Sequence, residues 1–432
     1  MADVSYAEAS AHLDALGIDA MKGLAPSLDR IEALCDALDN PQRQIPAIHV
    51  TGTNGKTSTA RIAASLLGAT GLTVGTFTSP HLTSVRERIA LNGEPISEDE
   101  FGDAFSHLAP YLETVEARLG EQLSFFEVMT AMFFLWAAEA PVDAAVVEVG
   151  LGGRWDATNV VPASVAVLTN IGLDHTALLG DDRVKIAREK AGIIKHDAFV
   201  VTAERDPAVL DVISAEADGM MAPVAVIGRE FQVRDNSVAL GGRFLAIETS
   251  ARLYQDLFLP LHGAHQGVNA ATALEAVTRF LPGQVLGEEV VAQGLAETVV
   301  PGRMETVKRV LLDVAHNPDG MSALVSSIAA SFDVVDSVFV VGILGDKDYK
   351  GMLLELARLN PRVIFTDAPN VRSVDPQELS AAALKLGLED CRVAADVPSA
   401  VDLAKDMAGD ALVCVTGSHY VVGAARDHLL NE

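Results

Sequence analysis

The segment Val50-Thr51-Gly52-Thr53-Asn54-Gly55-Lys56-Thr57-Ser58 constrains this chain more than any other. The apolar run from Pro46 to Val50 reads as a buried strand ahead of it. Thr59 to Ala69 reads as a helix behind it, with Ile62, Leu66 and Leu67 on one side. A glycine-rich turn between strand and helix aims backbone N–H groups at a phosphate. The helix N-terminus adds partial positive charge and Lys56 a full one. The segment therefore predicts a triphosphate site. Only half of the standard pattern G-x-x-x-x-G-K-[ST] is met, because Val50 stands where the first glycine belongs. A chance glycine turn is the competing reading, and the rest of the chain bears on it.

At 432 residues the chain is too long for one ordinary core, so two domains are expected. No stretch reaches the roughly 18 uninterrupted apolar residues of a membrane span. The most apolar helix candidate, Phe125 to Ala140, contains Glu127 and Glu139 and reads as a core helix. Residues 1–10 lack the basic and apolar regions of a signal peptide. Cys35, Cys391 and Cys414 are odd in number and far apart, which fits neither a disulfide framework nor a zinc site and predicts a reducing cytoplasm. A net charge of −27 argues against nucleic-acid binding. Anionic substrates would then need basic side chains and magnesium gathered in one cleft.

Residues 1–300 alternate strand and helix patterns, as a parallel α/β sheet does. Strand candidates are Ala47–Val50, Val74–Phe77, Ala144–Val149, Val165–Thr169 and Phe199–Thr202. Val224 to Thr249 reads as strands with turns at Asp235-Asn236 and Gly241-Gly242, a small antiparallel patch on the main sheet. Gly263 to Phe280 reads as one alanine-rich helix. Pro301-Gly302 breaks the pattern and sets a boundary between residues 1–300 and 301–432. A second alternation follows, with strands at Val310–Val314, Ser337–Ile343, Val363–Thr366, Arg392–Ala395 and Leu412–Thr416. The expected fold is α/β, a phosphate-loop parallel-sheet ATPase domain followed by a smaller Rossmann-like α/β domain without a phosphate loop.

Three segments sit where parallel strands end, the place ligands bind in open α/β sheets. They are Thr78-Ser79-Pro80-His81-Leu82, the run from Glu148 to Asn159, and Thr169-Asn170-Ile171-Gly172-Leu173-Asp174-His175. Glu148 follows Ala144-Ala145-Val146-Val147, so it ends a buried strand. A carboxylate there is costly unless a cation or hydrogen bonds compensate. Beside a phosphate loop the natural cation is magnesium, which prefers oxygen ligands. Ser79 offers a hydroxyl, and His175 an imidazole for a second ion; a hydrogen-bonded loop histidine is the plainer reading of His175.

Together these motifs resemble the Mur ligase superfamily and, within it, the folylpolyglutamate and dihydrofolate synthases. The resemblance continues in His262-Gly263-Ala264-His265-Gln266-Gly267-Val268-Asn269-Ala270-Ala271, Pro301-Gly302-Arg303, Leu312-Asp313-Val314-Ala315-His316-Asn317-Pro318 and Gly345-Asp346-Lys347-Asp348. The motifs run in order from about residue 22 to 420. The resemblance implies that Asn54, Gly55, Lys56, Thr57 and Ser58 hold the ATP phosphates. It implies that Asn269, Arg303 and Asp313 hold the nucleotide from the interdomain side, and that Ser79, Glu148 and His175 ligate two magnesium ions. It places a pterin against Ser27-Leu28-Asp29, Ser124-Phe125-Phe126-Glu127 and Trp155-Asp156-Ala157. Aromatic walls suit a flat ring, although core packing explains Phe125 equally well. It also implies that Lys190, on a helix from Val184 to Ala191, carries a carbamate made from CO₂. A negative carbamate near magnesium avoids the repulsion an ammonium would feel.

One departure is Thr57: many folate ligases have glycine there, and the threonine is closer to the cell-wall ligases; whether Thr57 or Ser58 meets the metal or phosphate stays open. Only 51 residues precede Gly52, too few for the extra domain of the cell-wall enzymes. The implied reaction is ATP-driven amide formation through an acyl phosphate. Its partners are ATP, L-glutamate and dihydropteroate or a reduced folate, in a monomer, with no nucleic acid and no membrane. His316 is a candidate base for the amine. A cell-wall precursor ligase and a phosphate-loop ATPase switch are the alternatives, and the switch leaves Asn269, Arg303 and Asp313 unexplained.

Overall fold

A computed structural model describes residues 4–17 and 27–432. The earliest of the motif positions, around residue 22, lies outside the described residues. Strands β1 (Ala47–Thr51), β2 (Val74–Phe77), β3 (Ile89–Leu91), β4 (Glu94–Pro95), β5 (Ala144–Glu148), β6 (Val165–Leu168), β7 (Phe199–Thr202) and β8 (Val224–Val226) form one sheet in the order β4-β3-β2-β5-β1-β6-β7-β8. The order departs from the chain order at β1, β2 and β5, which puts β1 at the centre.

The two faces of that sheet are covered by different helices, which is why its strands read as continuous apolar runs. Val146 shares a core with Ile62 and Leu66 of the helix Lys56–Ala69 and with Leu274 of the helix Ala264–Phe280. Its neighbour Val147 points to the opposite core, with Phe133 of the helix Phe125–Glu139. Register then decides the chemistry. Val50 of β1 pairs with Glu148 of β5, and Thr51 with Leu168 of β6. The phosphate loop therefore emerges between Glu148 on one side and Thr169 on the other.

The expected all-parallel arrangement needs correction at the sheet edge, because β3 and β4 run antiparallel to β2 and to each other. The patch expected over Val224 to Thr249 also divides differently. Val224–Val226 joins the main parallel sheet beside β7. The rest makes a separate antiparallel sheet of β9 (Gln232–Ala239), β10 (Gly242–Glu248) and β11 (Leu253–Leu259), in the order β11-β10-β9. Asp235-Asn236 is not a turn. Both residues lie inside β9, opposite Ala246 and Leu245 of β10. Cross-strand pairing overrides their weak strand propensity, and the turn falls at Leu240-Gly241, where Gly241 adopts φ +76°.

A six-stranded sheet contains β12 (Arg303–Val307), β13 (Val310–Asp313), β14 (Val338–Val341), β15 (Arg362–Phe365), β16 (Cys391–Val393) and β17 (Val413–Thr416), in the order β12-β13-β17-β14-β15-β16. All its pairs are parallel except β12 with β13. That hairpin sets Arg303 directly opposite Asp313. No described helix is long and apolar enough to cross a membrane.

Candidate active site

The phosphate loop is held from three sides. Thr53 N–H donates to the Asn170 carbonyl (2.7 Å), and Asn54 N–H to Asn170 Oδ1 (2.9 Å). Thr169 Oγ1 donates to the Asn54 carbonyl at 2.7 Å. Lys190 Nζ donates to the Gly52 carbonyl at 2.7 Å. Two glycines are dictated by contact. A Cβ on Gly52 would fall 1.7 Å from Thr169 Oγ1, and one on Gly55 would fall 2.6 Å from Asn269 Oδ1. Gly55 also adopts φ +83°, the left-handed region. Gly55→Ala is expected to cost about 1–2 kcal/mol from backbone strain alone and to push Asn269 off the loop. Melting curves with and without ADP check this; the predicted sign is a smaller ADP-induced rise than in the wild type.

Glu148 is 1% exposed and sits at the end of β5 beside that loop. Thr57 Oγ1 donates to its Oε1 at 2.9 Å, and Ser79 N–H to its Oε2 at 3.2 Å. Burial raises its pKa, and the charge of Lys56 opposes the rise. Lys56 folds back over its own loop, donating to the carbonyls of Gly52 and Thr53, each at 3.2 Å. Thr57, not Ser58, thus presents its hydroxyl to the carboxylate. Ser58 is 1% exposed, so its side chain has no open face on the cleft.

Residues of the six-stranded sheet close over this turn. Asn317 Nδ2 donates to Asn54 Oδ1 (3.1 Å) and to Asp174 Oδ2 (3.3 Å). Lys347 Nζ bonds Asp174 Oδ1 at 2.9 Å, and His316 Nε2 lies 3.7 Å from Asp174 Oδ2. Burial works against ionising Asp174, but the neighbouring His316 and the charge of Lys347 hold it well below the usual carboxylate range. His175, at the start of a short helix with φ +49°, has its Nε2 3.4 Å from Lys347 Nζ. Burial and Lys347 lower its pKa to about 4, which leaves a neutral imidazole at pH 7. Asp313 accepts from the N–H groups of Met304 (3.0 Å) and Ala315 (2.9 Å). Burial raises it to about 6 against the pull of Arg303. Asp174, Lys347 and Asn317 lie within the sequence motifs, but no local signal gives them a role. Their convergence joins positions more than a hundred residues apart.

Lys190 is 4% exposed, and burial with the charge of Lys56 lowers its pKa to about 7. His316 Nδ1 lies 2.9 Å from the Val314 carbonyl, and its ring packs against His419 at 5.2 Å.

The expected pterin residues separate into two kinds. Ser124 and Glu127 form a capping box at the start of the helix Phe125–Glu139, and Glu127 also pairs with buried Arg30 at 3.0 Å. Phe125 is 3% exposed, with the Arg88 guanidinium 5.0 Å over its ring. Asp156 caps a 3-10 turn, and Ala157 is buried. Ser27 Oγ accepts from Asp29 N–H at 3.0 Å, and Leu28 packs on the core of the Phe125–Glu139 helix. The rings still open at this end are Phe126 and Trp155. Phe126 lies so close over Gly150 that a Cβ there would meet it at 2.5 Å; Trp155 is 50% exposed.

Residues 50–277 match the family model described as the Mur ligase middle domain, and residues 302–419 that of the Mur ligase, glutamate ligase domain. A dihydrofolate synthase/folylpolyglutamate synthase of Mycobacterium tuberculosis is 41% identical over 93% of this chain and 89% of its own length. A folylpolyglutamate synthase (FPGS) of Lacticaseibacillus casei is 34% identical, over 93% and 94% of the two chains. Among solved structures, the M. tuberculosis folylpolyglutamate synthase complexed with ADP matches with a TM-score of 0.93 at 40% identity, over 98% of this chain and 97% of that one. An FPGS–AMPPCP–folate complex matches with a TM-score of 0.86 at 32% identity, over 99% and 100%.

Proposed function

The chain belongs to the Mur ligase superfamily, in the branch of the dihydrofolate and folylpolyglutamate synthases, and from that premise we propose how its cleft works. The enzyme is an ADP-forming ligase that joins L-glutamate to a folate at the expense of ATP. One observation carries the residue assignment: Lys56, Thr57 and Glu148 meet at the phosphate loop, and Asn317 and Lys347 bring the second sheet onto the same turn.

Asn54, Gly55, Lys56, Thr57 and the Ser58 N–H take the ATP phosphates, with Asn269, Arg303 and Asp313 on the nucleotide. The Asp313 carboxylate suits a ribose hydroxyl. The donor set beside the loop, a buried carboxylate and the Thr57 hydroxyl, is the hard-oxygen set that magnesium takes. Glu148 and Ser79 would hold one Mg²⁺ and neutral His175 a second, and the ions would withdraw charge from the phosphates. A substrate carboxylate attacks the γ-phosphorus and ADP leaves. Lys56 offsets the charge building on the transferred oxygens. The glutamate amine, after losing a proton, attacks the acyl carbon and phosphate leaves. His316 would take that proton at Nε2, because its Nδ1–H is held on the Val314 carbonyl and Nε2, 3.7 Å from Asp174, stays free to accept. Closure of the two sheets on each other would keep water from the acyl phosphate.

We further assign both dihydropteroate and tetrahydrofolates as acceptors, with Phe126 and Trp155 as walls for the pterin. The enzyme acts as a monomer in the cytoplasm, where its three free cysteines stay reduced. The test is ADP release with each substrate omitted in turn. Release is expected to need glutamate and either pteroate acceptor. Hydrolysis indifferent to both would point to an ATPase switch, and activity only with a cell-wall precursor would move the enzyme to another branch.

A further inference from the structure

Arg61 lies one helical turn beyond Thr57, on the helix that follows the phosphate loop. It lines a small cavity between the two sheets with Thr57, Thr78, Glu87, Arg303 and His419. Its Nε is buried without a hydrogen-bond partner, and its guanidinium makes no hydrogen bond, ion pair or ring contact among the described residues. The chain has 59 acidic residues against 32 Lys and Arg, and several part-buried arginines are paired with one: Arg30 with Glu127, Arg183 with Glu204, Arg279 with Glu275 and Arg426 with Glu305.

The nearby acids are engaged elsewhere. Glu87 accepts from the backbone N–H groups of Leu82, Thr83 and Ser84. Glu148 is held by Thr57 and the Ser79 N–H. Glu94 adds long-range attraction and Arg426 repulsion. A guanidinium partly withdrawn from water, with its Nε buried and unpartnered, is costly unless something completes it. Its planar fork fits a carboxylate in two parallel hydrogen bonds.

Resting on the ligase reading above, we propose that Arg61 anchors a substrate carboxylate that does not itself react. Two substrates can supply it. Incoming L-glutamate carries two carboxylates that take no part in the bond. A tetrahydrofolate acceptor carries one beside its reacting carboxylate, and dihydropteroate carries none. The cavity reaches His419, at the start of the helix His419–Asn431 of the second sheet, so a carboxylate held there touches both halves of the closed cleft.

The experiment compares wild type, Arg61→Gln and Arg61→Lys as full-length enzyme, with initial rates of ADP release for each acceptor. Arg61→Gln is expected to raise the KM for L-glutamate about ten- to a hundred-fold with both acceptors, the range of one lost charged hydrogen bond. Arg61→Lys should recover part of it. The KM for ATP should stay within about twofold, as this residue touches no phosphate group in the proposal. A raised KM for tetrahydrofolate alone, with dihydropteroate unaffected, also supports the anchor and assigns it to the acceptor. Unchanged KM values for all carboxylate substrates, or an equal rise for ATP, overturn it. If Arg61→Gln does not fold, Arg61→Lys carries the same comparison. A wild type whose ADP release ignores glutamate refutes the ligase reading itself. A glutamate-dependent wild type with an unaltered Arg61→Gln refutes only the anchor.

Discussion

Glu148→Gln should lower kcat for glutamate ligation by about 10²–10³-fold, the scale of removing one preorganised electrostatic group from a transition state, while the protein stays folded. The two side chains have the same shape. Glutamine keeps an oxygen for the Thr57 hydroxyl, but its NH₂ then faces the Ser79 N–H that now donates to Oε2. That mismatch costs about 1 kcal/mol, the typical net value of one hydrogen bond. It is offset because a buried carboxylate is exchanged for a neutral amide. Stability and activity should therefore part company, with little movement of the melting temperature and a collapse of turnover. Steady-state ADP release and a thermal melt on the same preparation measure both. Retention of more than about a tenth of wild-type kcat would remove Glu148 from the chemistry.

The second large effect concerns Lys190. Its amine is buried against the Gly52 carbonyl, and burial with Lys56 brings its pKa to about 7. An ordinary lysine titrates near 10.4. Carbamate formation needs the neutral amine: nitrogen attacks CO₂, a C–N bond forms and one proton leaves. With its pKa at about 7 the amine is half neutral at that pH, whereas an exposed lysine would be almost wholly charged. Activity limited by the carbamate should fall as pH drops below about 7 and rise with added bicarbonate. Lys190→Ala should lose about 10²-fold or more and regain part of it with acetate or formate. A bicarbonate-independent wild type, together with a Lys190→Ala enzyme that short carboxylates cannot rescue, would leave lysine as a plain clamp on the loop. The stability sign follows from the same shift. Between about pH 7 and 10 the unfolded chain binds this proton and the folded one does not. The contribution of Lys190 to stability therefore grows as pH rises through that window and is lost as pH falls to 7.

Where the local pattern and the packing agree, the sequence is readable. The strand before Gly52, the helix after Gly55 and the apolar run ending at Glu148 are each specified within about ten residues, because burial on both faces leaves a strand no polar positions. The local pattern misleads where a neighbouring strand decides. Asp235 and Asn236 carry turn chemistry but are drawn into β9 by pairing with β10. Ser124 and Glu127 also hold a helix start, which the local S-x-x-E spacing of a capping box signals. Phe125 is 3% exposed, with the Arg88 guanidinium over its ring, so burial is one of the two readings its sequence left open.

The amino-acid order alone thus determined that a phosphate loop exists, that a buried acid ends a strand, and that two α/β units follow one another. Those signals are local, and the period of a helix or strand is written in a few successive side chains. It was left to the tertiary structure to choose Thr57 over Ser58 as the partner of Glu148, to set Asp174 between Lys347 and His316, and to leave Arg61 unpaired in the cleft. Each of these depends on strand register and on how one sheet lies against the other. Such relations are fixed by the summed burial of hundreds of contacts, and no short window of sequence contains them.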